Sequence, residues 1–151
     1  ERYYSPYDKS HPMVTRAAWG FGIETGTQAV RLILSGIFDR HPKLKIFLGH
    51  FGEAIPFWLP RIHESFTRPG NEHIDFNRIF KENFWITTSG FFSDNALELC
   101  LKVLNAEKIL FAVDWPYANN KVGVDWLANA PIDTHTKKMI FSENAQNLFN
   151  L

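Results

Sequence analysis

The chain has 151 residues, and its 16 basic side chains cancel its 16 acidic ones, so it is the size of one ordinary domain and lacks the basic excess of a nucleic-acid or anionic membrane surface. A single cysteine, Cys100, rules out a disulfide framework and a Cys-based zinc site and suits a reducing cytoplasm. No apolar run approaches the roughly 18 residues of a membrane span, and the opening ERYYSPYDKS does not read as a signal peptide, so the expected partner is a small molecule.

Residues Glu1 to Gly22, rich in Tyr, Pro and Gly, read as a loop arriving from something upstream. From Glu24 to Phe38 the apolar residues Ala29, Val30, Leu32, Ile33, Leu34 and Ile37 recur at helical spacing. The run Asp39 to Pro42 stops that helix and turns the chain into Leu44 to Glu53, LKIFLGHFGE, read as a short strand buried on both faces and ending in a Gly-His pair. Ala54 to Thr67 is expected to be helical, with Pro56 in its first turn and a kink at Pro60. A loop over Arg68 to Asn71, a short helix over Asp75 to Glu82 and the β-branched, aromatic strand Phe84 to Thr88 follow. Ser89 and Gly90 end that strand in small residues that leave room for a ligand. Ser93 is positioned to cap a helix through Leu97, Cys100 and Leu104. The last strand is Ile109 to Val113, delivering Asp114 into the DWPY turn, and helices are expected over Gly123 to Ala128, Thr134 to Phe141 and Ser142 to Phe149, the last capped by Ser142.

Strands alternating with amphipathic helices imply a parallel α/β sheet. Three such strands leave unpaired edges, whereas they would sit naturally as the last three of a TIM-like (β/α)8 barrel of about 250 residues. An open flavodoxin-like sheet competes, but the glycine-rich phosphate loop that often accompanies it is missing. Fourteen Phe and five Trp fit either a dense core or an aromatic-lined pocket.

Two strands that both deliver a polar residue at the same end, His50 and Asp114, point to one shared site. His50 reads either as a satisfied histidine in a strand-to-helix turn or as an imidazole whose basicity is raised by Glu53, with the following helix N-terminus favouring the neutral ring. Asp114 reads either as the cap of its own turn or as a metal ligand. Glu53 reads also as an ordinary first-turn residue, and Arg61 as a helix-surface partner of Glu64. His41, His63, His73 and His135 fall in polar loops or on helix faces and are expected to be solvated.

The segments HPKLKIFLGHFGEAIPFWLPRI, NFWITTSG and AEKILFAVDWPY look like the C-terminal half of the amidohydrolase-related, metal-dependent decarboxylases, a group that includes 2,3-dihydroxybenzoate, γ-resorcylate and aminocarboxymuconate semialdehyde decarboxylases. The likeness runs from about Trp19 to the end of the chain. It implies a (β/α)8 barrel, the last three strands of which lie here, and one divalent metal, Zn or Mn, anchoring a small aromatic carboxylic acid during loss of CO2. By the same resemblance Asp114 is a metal ligand and the proton donor, and the other ligands come from an N-terminal half outside this chain. His50 and Glu53 act on the phenol or a metal-bound water, Arg61 holds the substrate carboxylate, and Ser89, Trp115 and Tyr117 line the substrate pocket. No organic cofactor is implied, and a homo-oligomer in the cytoplasm is expected. His11 follows no strand and is not taken as the family's fifth-strand ligand. Where several relatives carry Phe-Glu after DWP, this chain has Tyr117-Ala118, so the substrate itself stays open. Two other readings are a metal-dependent hydrolase on the same barrel and a non-catalytic half-barrel that functions only in assembly.

Overall fold

In the computed structural model, which describes residues 4–7, 9–70 and 74–151, three strands form one parallel sheet in sequence order. They are β1 (Ile46–Leu48), β2 (Phe84–Thr87) and β3 (Ile109–Leu110), with Leu48 opposite Ile86 and Ile86 opposite Ile109. Parallel neighbours need a crossover between them, and helices supply it each time.

The expected helix around Glu24 to Phe38 is two helices, α1 (Gly20–Leu34) and α2 (Ile37–Arg40). The break falls at Ser35-Gly36, where Gly36 takes a φ of 67° that glycine adopts without steric cost. Helix α1 also begins earlier than the loop reading allowed, and two 3-10 turns, Ser5–Tyr7 and Pro12–Thr15, precede it. A turn, α3 (His50–Glu53), leads from β1 into α4 (Ile55–Phe66), which carries Pro56 in its first turn and Pro60 inside. Next come α5 (Phe76–Asn83), capped by Asp75, and α6 (Asp94–Leu104), capped by the Ser93 hydroxyl accepting from the Ala96 N–H at 3.3 Å. The chain ends in α7 (Asn120–Asn129), α8 (Thr134–Lys138) and α9 (Asn144–Phe149).

Ser142 caps nothing. The backbone runs from α8 into α9 through a π-helical stretch, Met139–Glu143, and the cap belongs to Asp133, which accepts from the Thr136 N–H at 2.9 Å. The π register has a use: the Ile140 carbonyl accepts from the Phe111 N–H at 3.0 Å. Asn144, 6% exposed, donates to the Ala106 and Ile109 carbonyls at 2.7 and 2.8 Å. Side chain and carbonyl together occupy the outer edge of β3, which would otherwise present unpaired backbone groups.

Helices cover one face of the sheet, and the core lies there. Phe66, Phe76, Phe80, Phe84 and Phe38 form a continuous column with successive ring centroids 5.1–6.4 Å apart, so a dense core accounts for many of the aromatic residues. The opposite face is open in this chain. Phe47 is 41% exposed, which corrects the expectation of a β1 buried on both faces, and its ring lies against those of Trp85 and Phe149 at 6.2 and 5.7 Å. Lys108 lies over Trp85 at 3.4 Å, and burial together with neighbouring Lys45 pulls its ammonium below the usual lysine range.

Strand β3 is shorter than expected because a side chain replaces its ladder. Thr88, fully buried, donates its hydroxyl to the Ala112 carbonyl at 2.7 Å and accepts from the Ala112 N–H at 3.1 Å. Past the strand ends the two segments stay joined by the Gly90 N–H donating to the Val113 carbonyl at 3.2 Å, and Asp114 emerges beside His50 at the end of β1. Cys100 is buried in α6, and desolvation pushes its thiol up to about 12. No helix among the described residues is long and apolar enough to cross a membrane. Asn71 of the expected loop, His73, and residues 1–3 and 8 lie outside the described residues.

Candidate active site

Between β1 and α4 the chain does not enter a helix directly. His50, Phe51, Gly52, Glu53 and Ala54 have φ of 48°, 54°, 80°, 52° and 63°, one turn wound in the left-handed sense. Such backbone costs about 1–2 kcal/mol for each non-glycine residue, and sustained runs of it cluster at functional sites. The winding brings residues three apart to one side. His50 Nδ1–H therefore donates to Glu53 Oε1 at 2.7 Å, while Nε2 faces Asp114 Oδ2 at 3.9 Å.

The three groups differ in exposure. The Glu53 side chain is 8% exposed, His50 41% and Asp114 37%, so a buried carboxylate supports a half-exposed imidazole that meets a second carboxylate at the surface. The hydrogen bond to Glu53 raises the His50 pKa above 6.5, burial opposes it, and the charges of Glu53 and Asp114 add to the rise. The expected neutralising pull of a helix N-terminus is overridden. A carboxylate 2.7 Å away dominates, and helix α4 begins only at Ile55.

Asp114 also has positive φ, 74°. Its carbonyl accepts from the Tyr117 and Ala118 N–H groups at 2.8 and 3.0 Å, so the main chain closes the turn and the carboxylate stays available to the site. Gly90 stands between the two polar side chains. A Cβ built on it would lie 2.9 Å from Asp114 Oδ2 and 3.2 Å from His50 Nε2. Ser89 is next to it, its Cβ 3.8 Å from the Cβ position of Gly49, at the same end of the sheet. Behind the site, α1 presses on Glu53: the Cβ position of Gly22 is 2.9 Å from Glu53 Oε2. The contact between α1 and the turn has no signature in the sequence, because it joins segments whose spacing only the packing sets.

The other expected site residues are not drawn into this cluster. Arg61 is exposed on α4, its guanidinium 5.7 Å from the centre of the Trp58 ring. Its anticipated partner Glu64 binds Arg68 at 2.7 Å instead. Trp115 and Tyr117 are 73% and 90% exposed, and with Pro116, Ala118, Asn119 and Asn120 they line a shallow depression beside the pair. His11 hydrogen-bonds Ser10 Oγ at 2.9 Å in an exposed turn. His63, expected in solvent, is half-buried, with an Nδ1 that lacks a hydrogen-bond partner and lies 3.8 Å from Asp75 Oδ1. His41 and His135 are exposed.

As donors for a metal, the cluster is incomplete. Among the described residues no group of three or more His, Cys, Asp or Glu side chains is arranged to hold an ion, whereas a catalytic site uses about three protein ligands. Asp114 fits as one ligand, with a carboxylate of the hard-oxygen type that suits Mn or Mg.

The chain as a whole is similar to several known proteins. A γ-resorcylate decarboxylase of Polaromonas sp. (strain JS666) is 39% identical over 96% of this chain and 46% of its own length. A dihydroxybenzoic acid decarboxylase structure from Polaromonas sp. JS666, with bound manganese and the inhibitor 2-nitroresorcinol, superposes with a TM-score of 0.89 at 37% identity, over 99% of this chain and 46% of that one. A 5-carboxyvanillate decarboxylase from Sphingomonas paucimobilis gives a TM-score of 0.88 at 41% identity, over 100% of this chain and 46% of the other. This chain thus spans about half the length of the relatives it matches, and its three parallel strands with their helices are part of a TIM-like (β/α)8 barrel. A family model described as Amidohydrolase matches residues 6–151, nearly the whole of the sequence in which strand ends deliver His50 and Asp114 to one point, and the chain belongs to the amidohydrolase family.

Proposed function

We propose that residues 1–151 form the last three strands of a barrel completed by an N-terminal half, and that the complete protein decarboxylates a hydroxylated aromatic acid without oxidation. The observation that carries this reading is the convergence of His50 Nε2 and Asp114 Oδ2, 3.9 Å apart with Glu53 behind the imidazole. The names of the similar proteins, decarboxylases of resorcylate, dihydroxybenzoate and carboxyvanillate type, support the substrate class.

In this reading Asp114 delivers a proton to the ring carbon that bears the carboxylate. The electrons of the bond to the carboxylate then return to the ring as CO2 departs, so the acid becomes the corresponding phenol. His50, oriented and made more basic by Glu53, holds the proton of the phenolic hydroxyl, a role suited to a histidine whose tautomer is fixed from its other nitrogen. Arg61 pairs with the substrate carboxylate, and Ser89, Trp115 and Tyr117 border the ring. A divalent metal, Mn or Zn, would be held by Asp114 and ligands from the N-terminal half, and would supply Lewis-acid charge to the bound acid. Manganese in the Polaromonas relative favours Mn.

Exposed aromatic residues flank this end of the molecule. Trp19 and Phe21 lie at the start of α1, Phe57 and Trp58 in the first turn of α4, and Phe91 after β2, which supports association of copies into a homo-oligomer. The free, buried Cys100 suits the cytoplasm. The test is to incubate the full-length protein with manganese and a panel of hydroxybenzoic acids and to follow CO2 and phenol. Stoichiometric release of both, lost in Asp114→Asn, is expected. Hydrolysis of lactones or amides with no CO2 from any acid would replace this reading with the hydrolase.

A further inference from the structure

We infer that Gly90 is the residue that sets what can reach the His50–Asp114 pair: its missing side chain is the opening through which a ligand approaches both polar atoms at once. The inference rests on the function proposed above for its consequence in turnover, but not for its geometry.

His50 Nε2 and Asp114 Oδ2 are 3.9 Å apart, too far to bond each other well and close enough for one small group to touch both. A Cβ at Gly90 would sit 2.9 Å from the carboxylate oxygen, 3.2 Å from the imidazole nitrogen and 3.3 Å from Asp114 Cβ. The first of these separations is shorter than any ordinary carbon–oxygen contact, so a methyl would take the position that a reacting atom needs. The backbone has little freedom to yield. The Gly90 N–H donates to the Val113 carbonyl at 3.2 Å and the Phe91 N–H to the Thr88 carbonyl at 3.1 Å, while the Thr88 hydroxyl donates to the Ala112 carbonyl and accepts from the Ala112 N–H. The loop after β2 is thus held to the segment around residues 110–113 at Thr88 and at Gly90 itself, and it is closed on itself by the Phe91–Thr88 bond. Gly90 also has a φ of 62°, and two demands meet at one residue: a left-handed backbone and an absent side chain facing the reactive pair.

The backbone demand has to be separated from the steric one. Gly36 provides the control, because it has nearly the same φ, 67°, while a Cβ there would meet only the ends of the Arg40 and Asp39 side chains at 3.6 Å. In the full-length protein, Gly90→Ala and Gly36→Ala should lose similar stability in thermal unfolding. Only Gly90→Ala should slow the acylation of His50 by diethylpyrocarbonate, read residue by residue by mass spectrometry on metal-depleted protein, by at least about fivefold. It should also lower kcat/KM on the accepted hydroxybenzoate by about 100-fold, the loss typical of a displacement near 1 Å at a reacting centre. Equal acylation rates in the two variants overturn the inference. If the wild-type protein releases no CO2, the proposed function fails, and the acylation rate alone decides the role of Gly90.

Discussion

The left-handed turn that builds the site predicts two substitutions with opposite signs. Gly52 lies in the middle of the turn at φ 80°, where a Cβ would be 2.9 Å from Ile86 Cγ2 and 3.1 and 3.3 Å from the Pro56 ring. Gly52→Ala therefore adds about 1–2 kcal/mol of left-handed backbone strain to about 1–3 kcal/mol of overpacking in a closed interior, a loss of about 2–5 kcal/mol. Two residues on, Ala54 has φ 63° and ψ 0° with an exposed side chain. Ala54→Gly removes the same strain and buries nothing less, so after the extra chain entropy of glycine it should stabilise by up to about 1 kcal/mol. Inside a helix the same change costs about 1 kcal/mol, but Ala54 is the N-cap of α4, where glycine is favoured over alanine, so relief of strain and capping preference act in the same direction. Urea unfolding of the full-length protein, followed by tryptophan fluorescence, measures both. Gly52→Ala within about 0.5 kcal/mol of the parent, together with Ala54→Gly destabilised, would refute the claim that strain is concentrated in this turn.

Glu53→Gln removes the main cause of the raised His50 pKa, so an NMR titration of the His50 ring should move toward or below 6.5, and an unchanged midpoint would count against the hydrogen bond. Because the folded pKa is the raised one, the stability contributed by this pair is fully present below pH 6.5 and lost as pH rises through the folded value, and Glu53→Gln should flatten that dependence. In the full-length protein Arg61→Met should weaken carboxylated aromatic ligands by about 2–4 kcal/mol, as for a desolvated charge pair, and the corresponding phenols far less; equal losses in calorimetric titration would remove Arg61 from the carboxylate. The isolated chain 1–151 should retain no stoichiometric divalent metal in elemental analysis, consistent with the incomplete donor set, whereas one tightly bound ion per chain would contradict that.

Local chemistry was legible in the sequence wherever one segment carries its own instructions. The helical periodicity, the Ser93 position before its helix, and the apolar strands ending in His50 and Asp114 are written in short-range order, and so the parallel sheet and the shared end of its strands followed. Glu53 was likewise expected beside His50, but the reading placed a right-handed helix there. The residues adopt a left-handed turn instead, because burial of Phe51 and Ile55, each 3% exposed, sustains a backbone that its four non-glycine residues disfavour. Thr88 replacing a strand ladder, Ile140 offering a carbonyl from a π turn, Gly90 facing two polar atoms and α1 resting on Glu53 were decided by tertiary structure alone. Each joins atoms more than twenty residues apart, and neither periodicity nor spacing encodes a contact whose energy exists only after the strands have been packed side by side.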